Sequence, residues 1–132
     1  MKNEEFGYLL ARLSIGMSFF GHGLIRLPKL DTYSDSVAYS FRKSVLPASL
    51  VHDLAYIFPL LALVIGILLL IGLFTRFAIF TGVILMLILI LGSSMIERWD
   101  NVFIHMIYGA YLAALYWHLV YNRVALDRSF RA

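Results

Sequence analysis

LAYIFPLLALVIGILLLIGLFT, from Leu54 to Thr75, is followed after Arg76 by FAIFTGVILMLILILGSSMI, from Phe77 to Ile96. These runs hold 22 and 20 residues without a formal charge, and Arg76 is the one charged residue between Asp53 and Glu97. As helices rising about 1.5 Å per residue, each covers a hydrocarbon core of roughly 30 Å. A third run, Asn101 to Asn122, follows Asp100. A water-soluble protein has no use for three such runs, so the chain reads as an integral membrane protein in contact with a lipid bilayer.

Composition agrees. Hydrophobic residues make up 61% of the chain and charged residues 14%, with a mean hydropathy of +0.84, which leaves too little polar surface for a soluble globule. The formal net charge of +3 does not signal nucleic acid. Apart from Arg12, the basic residues stand at the ends of apolar runs or in connections, where they meet headgroups or set orientation. There is no cysteine, which excludes disulfides, thiol redox chemistry and cysteine-ligated zinc or iron–sulfur centres in this chain.

The expected fold is all-α: a transmembrane four-helix bundle in one membrane domain, 1–132, with an interfacial amphipathic helix between its first and second helices. The expected spans are 6–27, 50–73, 77–97 and 101–121. Met1-Lys2-Asn3-Glu4-Glu5 is more acidic than a signal peptide's start, and no small-residue cleavage site follows the first apolar segment, which therefore reads as a retained helix. Pro59 removes a backbone donor from the second helix. Phe74-Thr75-Arg76 leaves few residues for reversal, so the second and third helices are antiparallel neighbours. Between Pro28 and Ser49, the residues Leu30, Tyr33, Val37, Phe41 and Val45 recur at helical spacing. They predict a surface helix over 32–45, capped by Asp31 or Thr32 and stopped by Pro47. Four crossings put both termini on one side, and the cluster Arg123, Arg128 and Arg131 favours the cytoplasm for them.

Polar residues within the apolar runs carry the candidate site. At 100° per residue Tyr8, Arg12, Gly16, Phe19, Gly23 and Arg26 share one arc of the first helix, with His22 at its edge. A cation at membrane depth costs at least roughly 2.5 kcal/mol, so Arg12 has three outlets: it snorkels, joins helices through carbonyls and Tyr116, or binds an anionic or quinone-like group. In the fourth helix His105, Tyr108, Gly109, Leu112 and Tyr116 share an arc, with Tyr111, His118 and Tyr121 opposite. Antiparallel packing gathers His22, Arg26, His52, Asp53, Ser93, Ser94, Glu97, Asp100 and His105 at one mouth of the bundle, where imidazoles can exchange protons. No His-x-x-x-His or Glu-x-x-His pair points to a metal, and no phosphate loop or nucleophile elbow is present. Gly109 with Ala113, and Ala110 with Ala114, suit close helix packing, within one bundle or between protomers of a homo-oligomer.

Three pieces in order resemble one family. Arg12-Leu-Ser-Ile-Gly16 with Phe19-Phe-Gly-His22-Gly23-Leu-Ile-Arg26-Leu27 looks like the first-helix signature of DoxX-like membrane proteins. Gly66-Ile-Leu-Leu-Leu-Ile-Gly72-Leu-Phe-Thr75-Arg76 resembles that family's second-helix ending, and Asn122-Arg-Val-Ala-Leu-Asp127-Arg-Ser-Phe130 its closing segment. The resemblance implies a four-helix membrane protein of the kind that serves as a membrane subunit of thiosulfate:quinone oxidoreductase or of related complexes. Relatives often carry a glutamate in the middle of the second helix, where Ala62 stands here. Two functions follow as expectations. One is a subunit supporting quinone-linked redox chemistry, with Arg12, His22, His105, Tyr108 and Tyr116 lining a cofactor pocket between the first and fourth helices. The other is a non-catalytic scaffold or assembly factor that binds another protein. Catalysis by this chain alone is not expected, because nothing in it supplies a recognisable cofactor site.

Overall fold

The structure, a computed structural model, describes residues 3–122. It is all-α, with four long helices and one short one: α1 (Asn3–Arg26), α2 (Leu30–Ser40), α3 (Ala48–Ile71), α4 (Thr75–Met95) and α5 (Trp99–Trp117). The tail with Arg123, Arg128 and Arg131 lies outside the described residues.

Helix boundaries follow local chemistry. Glu4 and Glu5 occupy the first turn of α1 and Arg26 its last, both favourable to the helix dipole. Pro28 falls in a 3-10 turn, Leu27–Lys29, after which α2 restarts. The expected caps at Asp31 and Thr32 are not used. Instead α2 is entered from Lys29 without a side-chain cap, and the Asp31 carboxylate lies in its first turn, where the dipole favours it. The helix also stops at Ser40, short of the expected 45, because the chain turns there: the Ser44 hydroxyl donates to the Phe41 carbonyl at 2.8 Å, and Pro47 is extended. At the end of α3, Gly72 adopts φ 74° and the N–H groups of Gly72 and Leu73 both bond the Leu68 carbonyl, at 2.8 and 3.0 Å. Only Gly72, Leu73 and Phe74 separate α3 from α4, and Arg76, expected in the connection, belongs to the first turn of α4.

Two tight helix pairs make the bundle. α1 packs along α3 and α4 along α5, whereas contacts between α3 and α4 and between α1 and α5 are sparser. The buried face of α1 is Tyr8, Arg12, Ile15, Gly16, Phe19 and Gly23. Glycines on both helices let α1 and α3 meet directly: a β-carbon on Gly23 of α1 would lie 2.6 Å from the Pro59 carbonyl oxygen, and one on Gly66 of α3 would lie 2.3 Å from the Phe20 nitrogen. In α4 the inward residues include Ala78, Ile79, Gly82, Leu85 and Met86, spaced by threes and fours.

A polar ladder joins α1 to α5 and its C-terminal extension. The Tyr8 hydroxyl donates to the Leu115 carbonyl at 2.9 Å, the Tyr111 hydroxyl donates to the Ala11 carbonyl at 2.8 Å, and the Ser18 and Tyr108 hydroxyls bond one another. Each such bond nets about 1 kcal/mol. Tyr111→Phe is therefore expected to lower stability by about that amount, checked by thermal unfolding in detergent.

Large apolar side chains cover the outside. Met17, Ile25, Val64, Phe77, Phe80, Leu87, Leu91, Phe103 and Trp117 are all more than half exposed, an apolar surface far beyond what a water-soluble monomer presents. Three helical stretches are long and apolar enough to cross a membrane: Asn3–Ser40, Ser49–Ile71 and Thr75–Met95. Of the four expected spans, then, three meet that standard. α5 does not reach it: its 19 residues include Asp100, Asn101, His105 and the tyrosines at 108, 111 and 116.

Candidate ligand cavity

Between the two helix pairs lies a cavity of about 530 Å³. It sits at the end of the bundle where α1 finishes, α3 starts, α4 finishes and α5 starts. Its walls are mostly apolar: Phe19 from α1, Val51, Ala55, Phe58 and Ala62 from α3, and Leu85, Met86 and Leu89 from α4. One face of α2 covers it with Tyr33, Val37 and then Phe41. This amphipathic helix is held to α3 by an Asp35–His52 contact of 3.1 Å and to α1 by Arg26, whose guanidinium lies 4.5 Å over the Tyr33 ring.

The polar lining is concentrated on α1 and α5. His22, Arg26, Arg98, Asn101, His105 and Tyr108 all border the space, with Ser93 from α4. The Nδ1 atom of His22 lies 2.7 Å from the Ser18 carbonyl. A carbonyl only accepts, so Nδ1 carries the proton and Nε2 is left for another partner. Tyr108 is held by Ser18 and meets Phe19 edge to face, with ring centroids 5.8 Å apart. The Nδ1 atom of His105 is buried without a hydrogen-bond partner among the described residues. Such an atom beside a cavity marks a place where a ligand or water can complete the bonding. The assembly is an apolar pocket with a hydrogen-bonding end.

Of the five residues expected to bind a cofactor, His22, His105 and Tyr108 line this cavity and Arg12 and Tyr116 do not. Arg12 is 2% exposed and donates from Nη1 to the Asn122 side-chain oxygen at 2.7 Å, towards the opposite end of the bundle. Neither snorkelling nor a Tyr116 contact accounts for it. Tyr116 is 45% exposed, beneath the Arg76 guanidinium at 5.6 Å. The reason is the rotation of α5: its buried residues are Leu112 and Leu115, and Tyr111, expected on the far face, bonds α1. Gly109 faces Met86 of α4, whereas Ala110, Ala113 and Ala114 are exposed. Phe41 and the α3 residues were missed as lining. The signal for Phe41 was the apolar period of the 28–49 connection, which marks a face seeking cover.

A DoxX family model matches residues 7–95, a span that takes in α1 through α4 and most of the cavity wall. The chain belongs to the DoxX family. No curated protein and no solved structure gives a match. The DoxX match includes the α1 motif that supplies His22 and Arg26 and the α3 segment that supplies Ala62, whereas His105 and Tyr108 lie beyond it. The resembling tail from Asn122 to Phe130 also falls outside it. In this DoxX protein Ala62, 8% exposed, forms part of the cavity wall.

Proposed function

We propose that this DoxX protein is a membrane subunit that holds a lipid-soluble, polar-headed molecule, a quinone first among them, for an oxidoreductase complex. The observation that carries the reading is the cavity of about 530 Å³, a size suited to a ring-bearing ligand, with an apolar body and a histidine–tyrosine end. In this reading the Tyr108 hydroxyl and the N–H of His105 Nδ1 donate to the oxygens of the head group, His22 Nε2 accepts from a hydroxyl of its reduced form, and Phe19, Phe58 and Met86 pack its ring. α5 makes a fourth crossing with His105, Tyr108 and Tyr111 turned inward, α2 lies at the interface over the cavity mouth, and the termini are cytoplasmic. The arginines at 123, 128 and 131 support that orientation. The chain supplies binding and orientation, and electron transfer belongs to a partner that carries a cofactor.

The test is titration of the detergent-purified protein with decyl-benzoquinone. Saturable binding near one equivalent is expected, weakened about tenfold or more in His105→Leu, the loss equivalent to about 1.4 kcal/mol. Binding that never saturates, or that ignores His105, contradicts the reading.

A further inference from the structure

The charges around the cavity are one-sided. Among the described residues that line it are two arginines, Arg26 and Arg98, and two histidines, His22 and His105, and no carboxylate. Arg98 shares its charge with Asp100, 3.7 Å away. Arg26 has no ion pair among the described residues. Its contact is the Tyr33 ring, which occupies the flat face of the guanidinium and leaves its edge N–H groups for an acceptor. A guanidinium at the mouth of an apolar cavity is costly without a counter-charge.

The far wall has a different character. Ile88 and Leu91 line the cavity and yet are 46% and 65% exposed, so the space reaches the outer apolar surface along α4. α3 and α4 meet through a three-residue turn at the opposite end and contact one another sparsely. What closes the gap at the cavity end is Phe41, whose ring would come within 3.3 Å of a β-carbon on Gly92. A chain of methylenes can leave by this route into lipid.

We propose that the cavity takes a negatively charged, single-tailed amphiphile, its head against Arg26 and His105 and its tail leading out between α3 and α4 past Phe41 and Gly92. This rests on the cavity being a ligand site and narrows the chemistry of what it holds. An anionic head supplies the counter-charge that Arg26 lacks and an acceptor for the N–H of His105 Nδ1, which has no partner among the described residues, and the aliphatic rim solvates the tail.

The experiment places the protein in nanodiscs of zwitterionic lipid and follows the immobilised fraction of doxyl-stearate by electron spin resonance. Laurate, dodecanol, dodecylamine, acetate and decyl-benzoquinone are added as competitors. Laurate is expected to displace the probe at about tenfold lower concentration than dodecanol, with dodecylamine and acetate ineffective. Arg26→Gln brings laurate to the level of dodecanol, Arg26→Lys retains the difference, and Gly92→Leu weakens every tailed competitor. If Arg26→Gln does not fold, the series on the unaltered protein decides alone. Equal potency of dodecanol or decyl-benzoquinone with laurate overturns the charge requirement while leaving a ligand cavity. Acetate as potent as laurate removes the tail route and points to a free-anion site. Displacement by laurate with none by the quinone overturns the quinone reading only, and a probe that is never immobilised overturns both.

Discussion

Gly66→Ala is expected to break the bundle. A β-carbon at this position would stand 2.3 Å from the Phe20 nitrogen, 2.7 Å from its α-carbon and 2.9 Å from the Gly16 carbonyl oxygen. All three are backbone atoms of α1, so no side chain can rotate away and the helices themselves must separate. Overpacking a well-filled site usually costs about 1–3 kcal/mol, and a backbone clash on three atoms stands at or beyond the top of that range. The separation would also strip Phe19 and Leu69 of the contacts that bury them. Thermal unfolding in mild detergent, read with size-exclusion chromatography, checks this. Gly21→Ala is the matched control, since nothing lies within 4 Å of its added carbon. Alanine there is expected to be neutral or to stabilise by up to about 1 kcal/mol through helix propensity.

Ala62→Phe is expected to leave the fold intact and abolish ligand binding. Ala62 belongs to the α3 wall of the cavity, so an added ring is expected to fill space that the packed protein leaves open. Filling an open cavity does not force neighbours out of their rotamers as overpacking a closed core does. Affinity should fall at least about a hundredfold, or 2.8 kcal/mol, by exclusion. Arg12→Lys provides the contrast. Its site is outside the cavity and its charge is kept, so ligand affinity is expected to stay within about threefold while stability falls through loss of the Asn122 contact. Titration with decyl-benzoquinone and unfolding in detergent read the two effects separately.

The helical fold was legible because bilayer thickness imposes a length on apolar runs, and Leu54 to Ile96 meets it twice with only Arg76 between. The inward arc of α1 was legible for a related reason. A helix with Tyr8, Arg12, Gly16 and Gly23 on one side can bury only that side, and the structure buries those residues together. α5 was less legible because Tyr108, Tyr111 and Tyr116 spread over an arc of about 140°, and a ring hydroxyl can bond a neighbouring helix as Tyr111 does or stay outside as Tyr116 does. Periodicity ranks faces by polarity and cannot choose between tyrosine faces of equal polarity. Arg12 illustrates the same limit. Its burial was readable from the arc, but its Asn122 partner lies 110 residues away and depends on where the chain turns after α5. The pocket's polar end was expected at His22, His105 and Tyr108, but its apolar body could not be read from the sequence, since it arises from the sparse α3–α4 contact. That separation reflects glycine-tight pairing within α1–α3 and a short turn at the opposite end.

Native mass spectrometry of the protein released from nanodiscs, run side by side with Ala62→Phe, tests the central claim most directly. A folded bundle carrying one lipid-soluble adduct, absent from the variant, is the predicted result. An unaltered protein with no adduct, or the same adduct on both proteins, would contradict a ligand held between the two helix pairs.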